Sequence, residues 1–138
     1  MDARKLTDKY SVSPQITVED LPQIAEAGFT TVICNRPDEE NPADLHAAVM
    51  AAKARELGLA FEVLPLTHQT MNAENIGRQR ALIEESTGPV LAYCASGTRC
   101  TIVWALGQAG EMSADDILTR ATQAGYDIEK LRPALEAG

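Results

Sequence analysis

Short apolar runs alternate along the chain with longer segments that carry helical spacing or helix-capping signals. The apolar runs are of strand length and rich in β-branched and aromatic residues, which predicts buried or half-buried strands. The predicted strands cover residues 10–16, 30–35, 59–66 and 90–93. The predicted helices cover residues 17–28, 43–57, 72–85, 101–109, a segment that begins at Ser113, and residues 127–135. Asn72 and Ser113 are the predicted N-caps of their helices.

Strands that alternate with helices of ten or more residues are typical of a parallel sheet built from right-handed crossovers. We therefore predict an α/β fold with a small, four-stranded, mainly parallel sheet flanked by helices. The chain has 138 residues, which is the size of one ordinary domain, so residues 1–138 are expected to form a single unit.

In such sheets, ligands bind beyond the carboxyl ends of the strands. Three segments follow strands here: residues 35–38, residues 66–69, and the loop that starts at Cys94. These segments are the expected walls of a site.

The charge balance argues against two classes of partner. The chain has 12 basic and 20 acidic residues, a net charge of −8 and no basic run, so binding to nucleic acid or to an anionic membrane is not expected. No apolar stretch approaches the roughly 18 residues of a membrane span. The N-terminus is not followed by the apolar core of a secretory signal, so we expect a cytoplasmic protein.

The three cysteines are Cys34, Cys94 and Cys100. Their odd number and their spacings fit neither a disulfide framework nor a zinc site, which would use closely paired ligands. We expect reduced thiols, one of them reactive, and no metal.

The loop after the last predicted strand carries the strongest chemical signal. It reads Cys94-Ala-Ser-Gly-Thr-Arg99 and opens a helix. The backbone N–H groups of Ala95, Ser96, Gly97 and Thr98, together with the helix N-terminus, would form an anion cradle and lower the pKa of the Cys94 thiol. The planar fork of Arg99 suits two oxygens of a tetrahedral oxyanion. The alternative is an ordinary strand-to-helix turn with a buried cysteine.

Three segments together resemble a known bacterial family, the beta-lactamase-hydrolase-like phosphatase domain, over about residues 6–110. They are the Cys94 loop preceded by Tyr93, residues 32–40 (VICNRPDEE), and residues 88–93 (GPVLAY). The resemblance implies a protein-tyrosine-phosphatase-like fold of the dual-specificity type. It also implies a cysteine-dependent phosphatase-like site, with Cys94 as nucleophile and Arg99 as anion clamp. Members of the family occur beside or fused to metallo-β-lactamase-like sulfur-oxidising enzymes.

Two features depart from the tyrosine-phosphatase pattern. Four residues separate Cys94 from Arg99, where tyrosine phosphatases have five; four is the spacing of many rhodanese-type sulfurtransferases, whose smaller ring of amides surrounds a persulfide sulfur. Cys100 follows Arg99, where a Ser or Thr hydroxyl usually supports the thiolate, and a thiol is a weaker donor.

A phosphatase also needs an acid for the leaving oxygen. Asp38 is the stronger candidate and His68 the weaker, although Asp38 equally suits a turn beside Pro37, and a loop histidine is often merely solvated. Arg36 would add positive field over the site or pair with the Glu39–Glu40 dipeptide, which we expect at the surface.

The sequence thus favours a hydrolase that acts on a small anionic or phosphorylated substrate through a phosphocysteine, without a metal or organic cofactor. The alternatives are a sulfurtransferase with a Cys94 persulfide and a non-catalytic module that binds an oxyanion. Cys34 is the candidate disulfide partner of an oxidised Cys94, since both follow strands at the same sheet edge, or else a small buried apolar residue.

Overall fold

A computed structural model describes all 138 residues as a mixed sheet with helices on both faces. The predicted α/β class and the mainly parallel sheet are confirmed, with five strands instead of four. The order in the sheet is β1-β2-β5-β3-β4; β1 runs antiparallel to β2, and every other pair is parallel. The strands are β1 (Arg4–Thr7), β2 (Tyr10–Ser13), β3 (Thr31–Cys34), β4 (Ala60–Val63) and β5 (Val90–Tyr93).

The additional strand, β1, lies at the edge of the sheet. It reads RKLT, and its single apolar residue, Leu6, is also its only buried one. An edge strand with one inward side chain has neither the alternation nor the β-branched content that marks a strand in a sequence. Its pairing with β2 was therefore not predicted.

Six helices surround the sheet, and two of their predicted caps are confirmed. The Asn72 side chain accepts from the backbone N–H of Asn75, and the Ser113 hydroxyl accepts from the N–H of Asp116. No helix combines the length and the apolar character that crossing a membrane requires. The helices are α1 (Leu21–Glu26), α2 (Ala47–Glu56), α3 (Ala73–Glu85), α4 (Thr98–Gln108), α5 (Ala114–Gln123) and α6 (Arg132–Ala137).

Three predicted helices are shorter than expected. The segment 17–28 begins as a 3-10 turn (Val18–Asp20) before α1. The segment 43–57 begins as a 3-10 turn (Ala43–Leu45), and His46 then adopts an extended backbone before α2 starts. The segment 127–135 likewise begins as a 3-10 turn (Glu129–Leu131) before α6.

The central strand, β5, divides the core into two layers. Val90, Ala92 and the following Cys94 pack on the layer that contains α4 and α5, whereas Leu91 and Tyr93 pack on the layer that contains α1 and α2. Alternate residues of a strand face opposite sides of its sheet. The end of β5 is therefore anchored on both faces, which fixes the starting point of the Cys94 loop.

Candidate active site

The Cys94 loop joins β5 to α4 through one residue that must be glycine. Gly97 precedes the first residue of α4 and has φ +95°, in the left-handed region that favours glycine. A side chain at this position would also collide with the hydroxyl of Tyr126. The tight reversal directs the backbone N–H groups of the loop and of the first helical turn toward Cys94.

Donors converge on the Cys94 sulfur. The Gly97 N–H donates to it at 3.1 Å, and the Cys100 thiol and the backbone N–H groups of Cys100 and Arg99 further stabilise its anion. The Cys100 thiol contributes most, and the donors together outweigh burial, which opposes the anion; they lower the pKa of Cys94 to about 5. At neutral pH Cys94 is therefore a thiolate, the reactive form of cysteine.

Arg99 lies at the mouth of the loop with part of its guanidinium bound and part free. Nη1 donates to Glu40 Oε2 at 2.8 Å and to the Leu66 carbonyl at 2.9 Å, and Nη2 donates to Glu40 Oε1 at 2.8 Å. These bonds use three of the five guanidinium donors. The Nε–H and the second Nη2 hydrogen, which share one edge of the fork, bind no protein acceptor and can hold two oxygens of an anion.

Glu40, which we expected at the surface, is thus a member of the site. Its side chain remains 35% exposed, but it binds Arg99 through both oxygens and also accepts from Arg36 Nε at 3.1 Å. The hydrogen bond from Arg99 is the main reason that the pKa of Glu40 lies below its usual value. The only sequence signal was the position of Glu40 in the segment that follows β3.

A cleft of about 410 Å³ lies beside Arg99 and contains one of the predicted acids, His68. Its walls combine polar groups with the apolar side chains of Met71 and Ile102. Residues that line the cleft are Glu40, Thr67, His68, Gln69, Met71, Thr98, Arg99 and Ile102.

The structure does not bring Asp38 into this cleft. Its Oδ1 accepts the backbone N–H of Ala47 at 2.9 Å, at the first residue of α2. A carboxylate at a helix N-terminus satisfies a free N–H and interacts favourably with the helix dipole. The geometry therefore gives Asp38 a structural role at the start of α2, away from the residues that line the cleft. Arg36 contacts the site only through its ion pair with Glu40, which in turn binds Arg99.

Cys34 is separated from Cys94 by the sheet itself. In the register of β3 and β5, Cys34 lies opposite Tyr93, and both side chains belong to the layer of α1 and α2. The Cys94 side chain belongs to the other layer, together with Cys100. The expected proximity of Cys34 and Cys94 at one sheet edge is correct for the backbone but wrong for the two thiols.

The residues of this site offer no metal centre: no group of three or more His, Cys, Asp or Glu side chains lies close enough to hold an ion. The site consists of a thiolate, a ring of donors and a partly free guanidinium.

Comparison with known proteins identifies the family of the chain. The family described as beta-lactamase hydrolase-like protein, phosphatase-like domain, matches residues 2–111. The chain belongs to this family. The beta-lactamase hydrolase-like protein of Agrobacterium fabrum is 27% identical to the chain over 130 residues, which are 93% of the chain and 30% of that relative. The chain thus spans less than a third of the curated relatives that it matches.

Solved structures extend the comparison of this phosphatase-like domain to its fold. A candidate phosphatase from Neisseria meningitidis is 37% identical, with a TM-score of 0.87 and 99% and 98% of the two chains covered. TpbA of Pseudomonas aeruginosa, solved in complex with phosphotyrosine, shares the fold at 17% identity, with a TM-score of 0.62 and 99% and 91% covered. The predicted protein-tyrosine-phosphatase-like fold is confirmed.

Proposed function

We propose that this domain is a cysteine-dependent phosphatase that hydrolyses a phosphate monoester through a phosphocysteine at Cys94. The observation that carries the proposal is the pairing of a thiolate with a guanidinium that lines a cleft and keeps two of its five donors free. A tetrahedral phosphate needs a nucleophile on one side and donors for its equatorial oxygens. Cys94 supplies the first, and Arg99 with the loop amides supplies the second.

In the first step the Cys94 thiolate attacks phosphorus, and the bond to the leaving oxygen breaks. In the second step a water attacks the phosphocysteine and gives a proton to the group that protonated the leaving oxygen, the S–P bond breaks, and inorganic phosphate leaves while the thiolate is restored. The free edge of Arg99 and the loop N–H groups that do not bind the sulfur would hold the negative oxygens during both steps. The donors on the sulfur make it a good leaving group in the second step.

His68 is the favoured proton donor for the leaving oxygen. It lines the cleft with Arg99, whereas the Asp38 carboxylate is bound to the N-terminus of α2. The other acid in the cleft, Glu40, is an ion-paired carboxylate and has no proton to give. Replacement of His68 by Gln should slow hydrolysis of an alkyl phosphate more than that of p-nitrophenyl phosphate, because the nitrophenolate leaves without a proton.

The direct test is hydrolysis of p-nitrophenyl phosphate by the wild type and by Cys94→Ser. Phosphate release by the wild type and its loss in the variant are expected. Rapid quenching of the wild-type reaction should trap phosphate on Cys94. Release that persists in Cys94→Ser would overturn the proposal.

Sulfur transfer is the second candidate, and one observation favours it. The four-residue loop directs its donors to a single sulfur atom, which suits a persulfide at Cys94. Thiocyanate formation from thiosulfate and cyanide, without phosphate release in the first assay, would establish this alternative. Activity in neither assay would favour a module that only binds an oxyanion.

A further inference from the structure

The peptide group between Ser96 and Gly97 is held at both of its ends. Its N–H, on Gly97, donates to the Cys94 sulfur at 3.1 Å, and its carbonyl, on Ser96, accepts from the Tyr126 hydroxyl at 2.8 Å. The N–H and C=O of a planar trans peptide point in opposite directions. A bond that fixes one end of this peptide therefore fixes the direction of the other.

Tyr126 is well placed to hold the carbonyl. It follows α5, its side chain is only 6% exposed, and the guanidinium of Arg4 lies over its ring at 5.1 Å from the centroid. Burial raises the pKa of the Tyr126 hydroxyl, so this group stays protonated and acts as a donor. The ring is thus fixed between β1 and the Cys94 loop.

The hydrogen bonds at the two ends of the peptide disfavour its reverse orientation. There is no room for a side chain on Gly97 against the Tyr126 hydroxyl. If the peptide rotated by half a turn, the Ser96 carbonyl would face the thiolate and the Gly97 N–H would face the tyrosine. The first contact is repulsive, and in the second the hydroxyl would have to accept a hydrogen bond instead of donating one.

We propose that Tyr126 is a positioning residue for the Cys94 nucleophile: by binding the Ser96 carbonyl, it aims the Gly97 N–H at the sulfur. Calling Cys94 a nucleophile rests on the proposed function, whereas the effect on the sulfur does not. Tyr126 also lies beyond residues 2–111, which the family match covers. The C-terminal part of the chain thus contributes to the chemistry of the loop.

The first test is Tyr126→Phe, which keeps the ring and removes the hydroxyl. The ultraviolet absorbance of the thiolate, measured against the same variant with Cys94→Ser, follows the ionisation of Cys94 alone. The variant weakens one neutral hydrogen bond, that from the Gly97 N–H to the sulfur. The midpoint of the titration, which is the pKa of Cys94, should therefore rise by about half a unit to one unit, a threefold to tenfold loss of thiolate stability.

Tyr10→Phe is the matched control. The Tyr10 hydroxyl also donates to a backbone carbonyl, that of Cys100 at 2.8 Å, but the N–H of that peptide, on Thr101, donates to Gly97 O and not to the sulfur. Because Tyr10 also binds the residue whose thiol stabilises the Cys94 anion, its removal should shift the pKa of Cys94 less than Tyr126→Phe does. A midpoint in Tyr126→Phe equal to the wild type, or a shift matched by Tyr10→Phe, would overturn the proposal.

A second variant strengthens the bond without removing a contact. A fluorotyrosine at position 126 alone keeps the shape of the ring and makes the hydroxyl a better donor. Because hydrogen bonds at the two ends of a peptide polarise each other, the Cys94 midpoint should fall. An unchanged or raised midpoint would contradict the proposal even if Tyr126→Phe does not fold. These titrations need no substrate, so a shift in a protein that hydrolyses no phosphate ester would refute the proposed function and retain the role of Tyr126.

Discussion

The Glu40 carboxylate binds the end of the Arg99 guanidinium through two hydrogen bonds of 2.8 Å each. This bidentate pair joins the segment after β3 to the first turn of α4, and a third bond, to the Leu66 carbonyl, completes the support of Arg99. The pair occupies one edge of the fork and so determines where the other edge points. Glu40 therefore controls the direction in which Arg99 can hold an anion.

Substitution of Glu40 by Gln tests this control. The amide keeps the size of the side chain but places an NH₂ group against one of the Arg99 nitrogens, which breaks the bidentate contact. We expect kcat/KM for p-nitrophenyl phosphate to fall roughly tenfold, equivalent to about 1.4 kcal/mol of transition-state stabilisation. Steady-state kinetics with Glu39→Gln as the control should show no change there, since Glu39 is exposed and makes no ion pair. Equal losses in both variants would argue against a specific role of Glu40.

Asp38→Ala separates a structural role from a catalytic one. Loss of the bond to the Ala47 N–H should lower the free energy of unfolding by about 1 kcal/mol, as for other helix caps. Asp38→Asn keeps a hydrogen-bond acceptor and should retain most of the free energy of unfolding that Asp38→Ala loses. Urea denaturation measures both effects. Hydrolysis should continue in Asp38→Ala, and a large fall in kcat at unchanged stability would restore Asp38 as the acid.

The pH dependence of activity should follow the ionisation of Cys94. The reaction needs the thiolate, which predominates above its pKa of about 5 and is lost as the pH falls through that value. The Cys100 thiol is the largest contributor to the low pKa of Cys94. In Cys100→Ala, the acidic limb of the pH profile of kcat/KM should therefore move to higher pH by about one unit. Cys100→Ser should keep the limb low, because a hydroxyl is a better donor than a thiol. A limb that stays in place in Cys100→Ala would show that the backbone N–H groups suffice.

Local features of this fold could be predicted from the sequence, and distant contacts could not. Strand β5 was predicted at its observed bounds because its buried residues are continuous in the chain, and the caps at Asn72 and Ser113 act within one helical turn. The loop between Cys94 and Arg99 was recognisable for the same reason. Strand β1 carries a single buried side chain, so no periodicity marks it.

The residues that hold the Cys94 loop in place do so through contacts that are distant in the sequence. Glu40 lies 59 residues before Arg99, and Tyr126 lies 30 residues after Ser96. Each is brought to the loop by the order of the strands and the packing of the helices, which residue spacing does not encode. Even the correct prediction that β3 and β5 end at the same edge did not reveal the face to which each cysteine points, since one step along a strand reverses it.

That reversal decides the redox partner of Cys94. Hydrogen peroxide would convert the thiolate to a sulfenic acid, and a neighbouring thiol can then displace water from it to form a disulfide. Cys34 lies on the other layer of the core, whereas the thiol and the backbone N–H of Cys100 both reach the Cys94 sulfur. We therefore predict a Cys94–Cys100 disulfide after peroxide treatment.

Peptide mapping without reductant should find it in the wild type and in Cys34→Ser, and phosphatase activity should return on addition of dithiothreitol. In Cys100→Ser the remaining thiol, Cys34, lies on the other layer of the core, so oxidation should proceed to the irreversible sulfinic acid and activity should not return. A Cys34–Cys94 link, or full recovery of the Cys100→Ser variant, would refute the assignment.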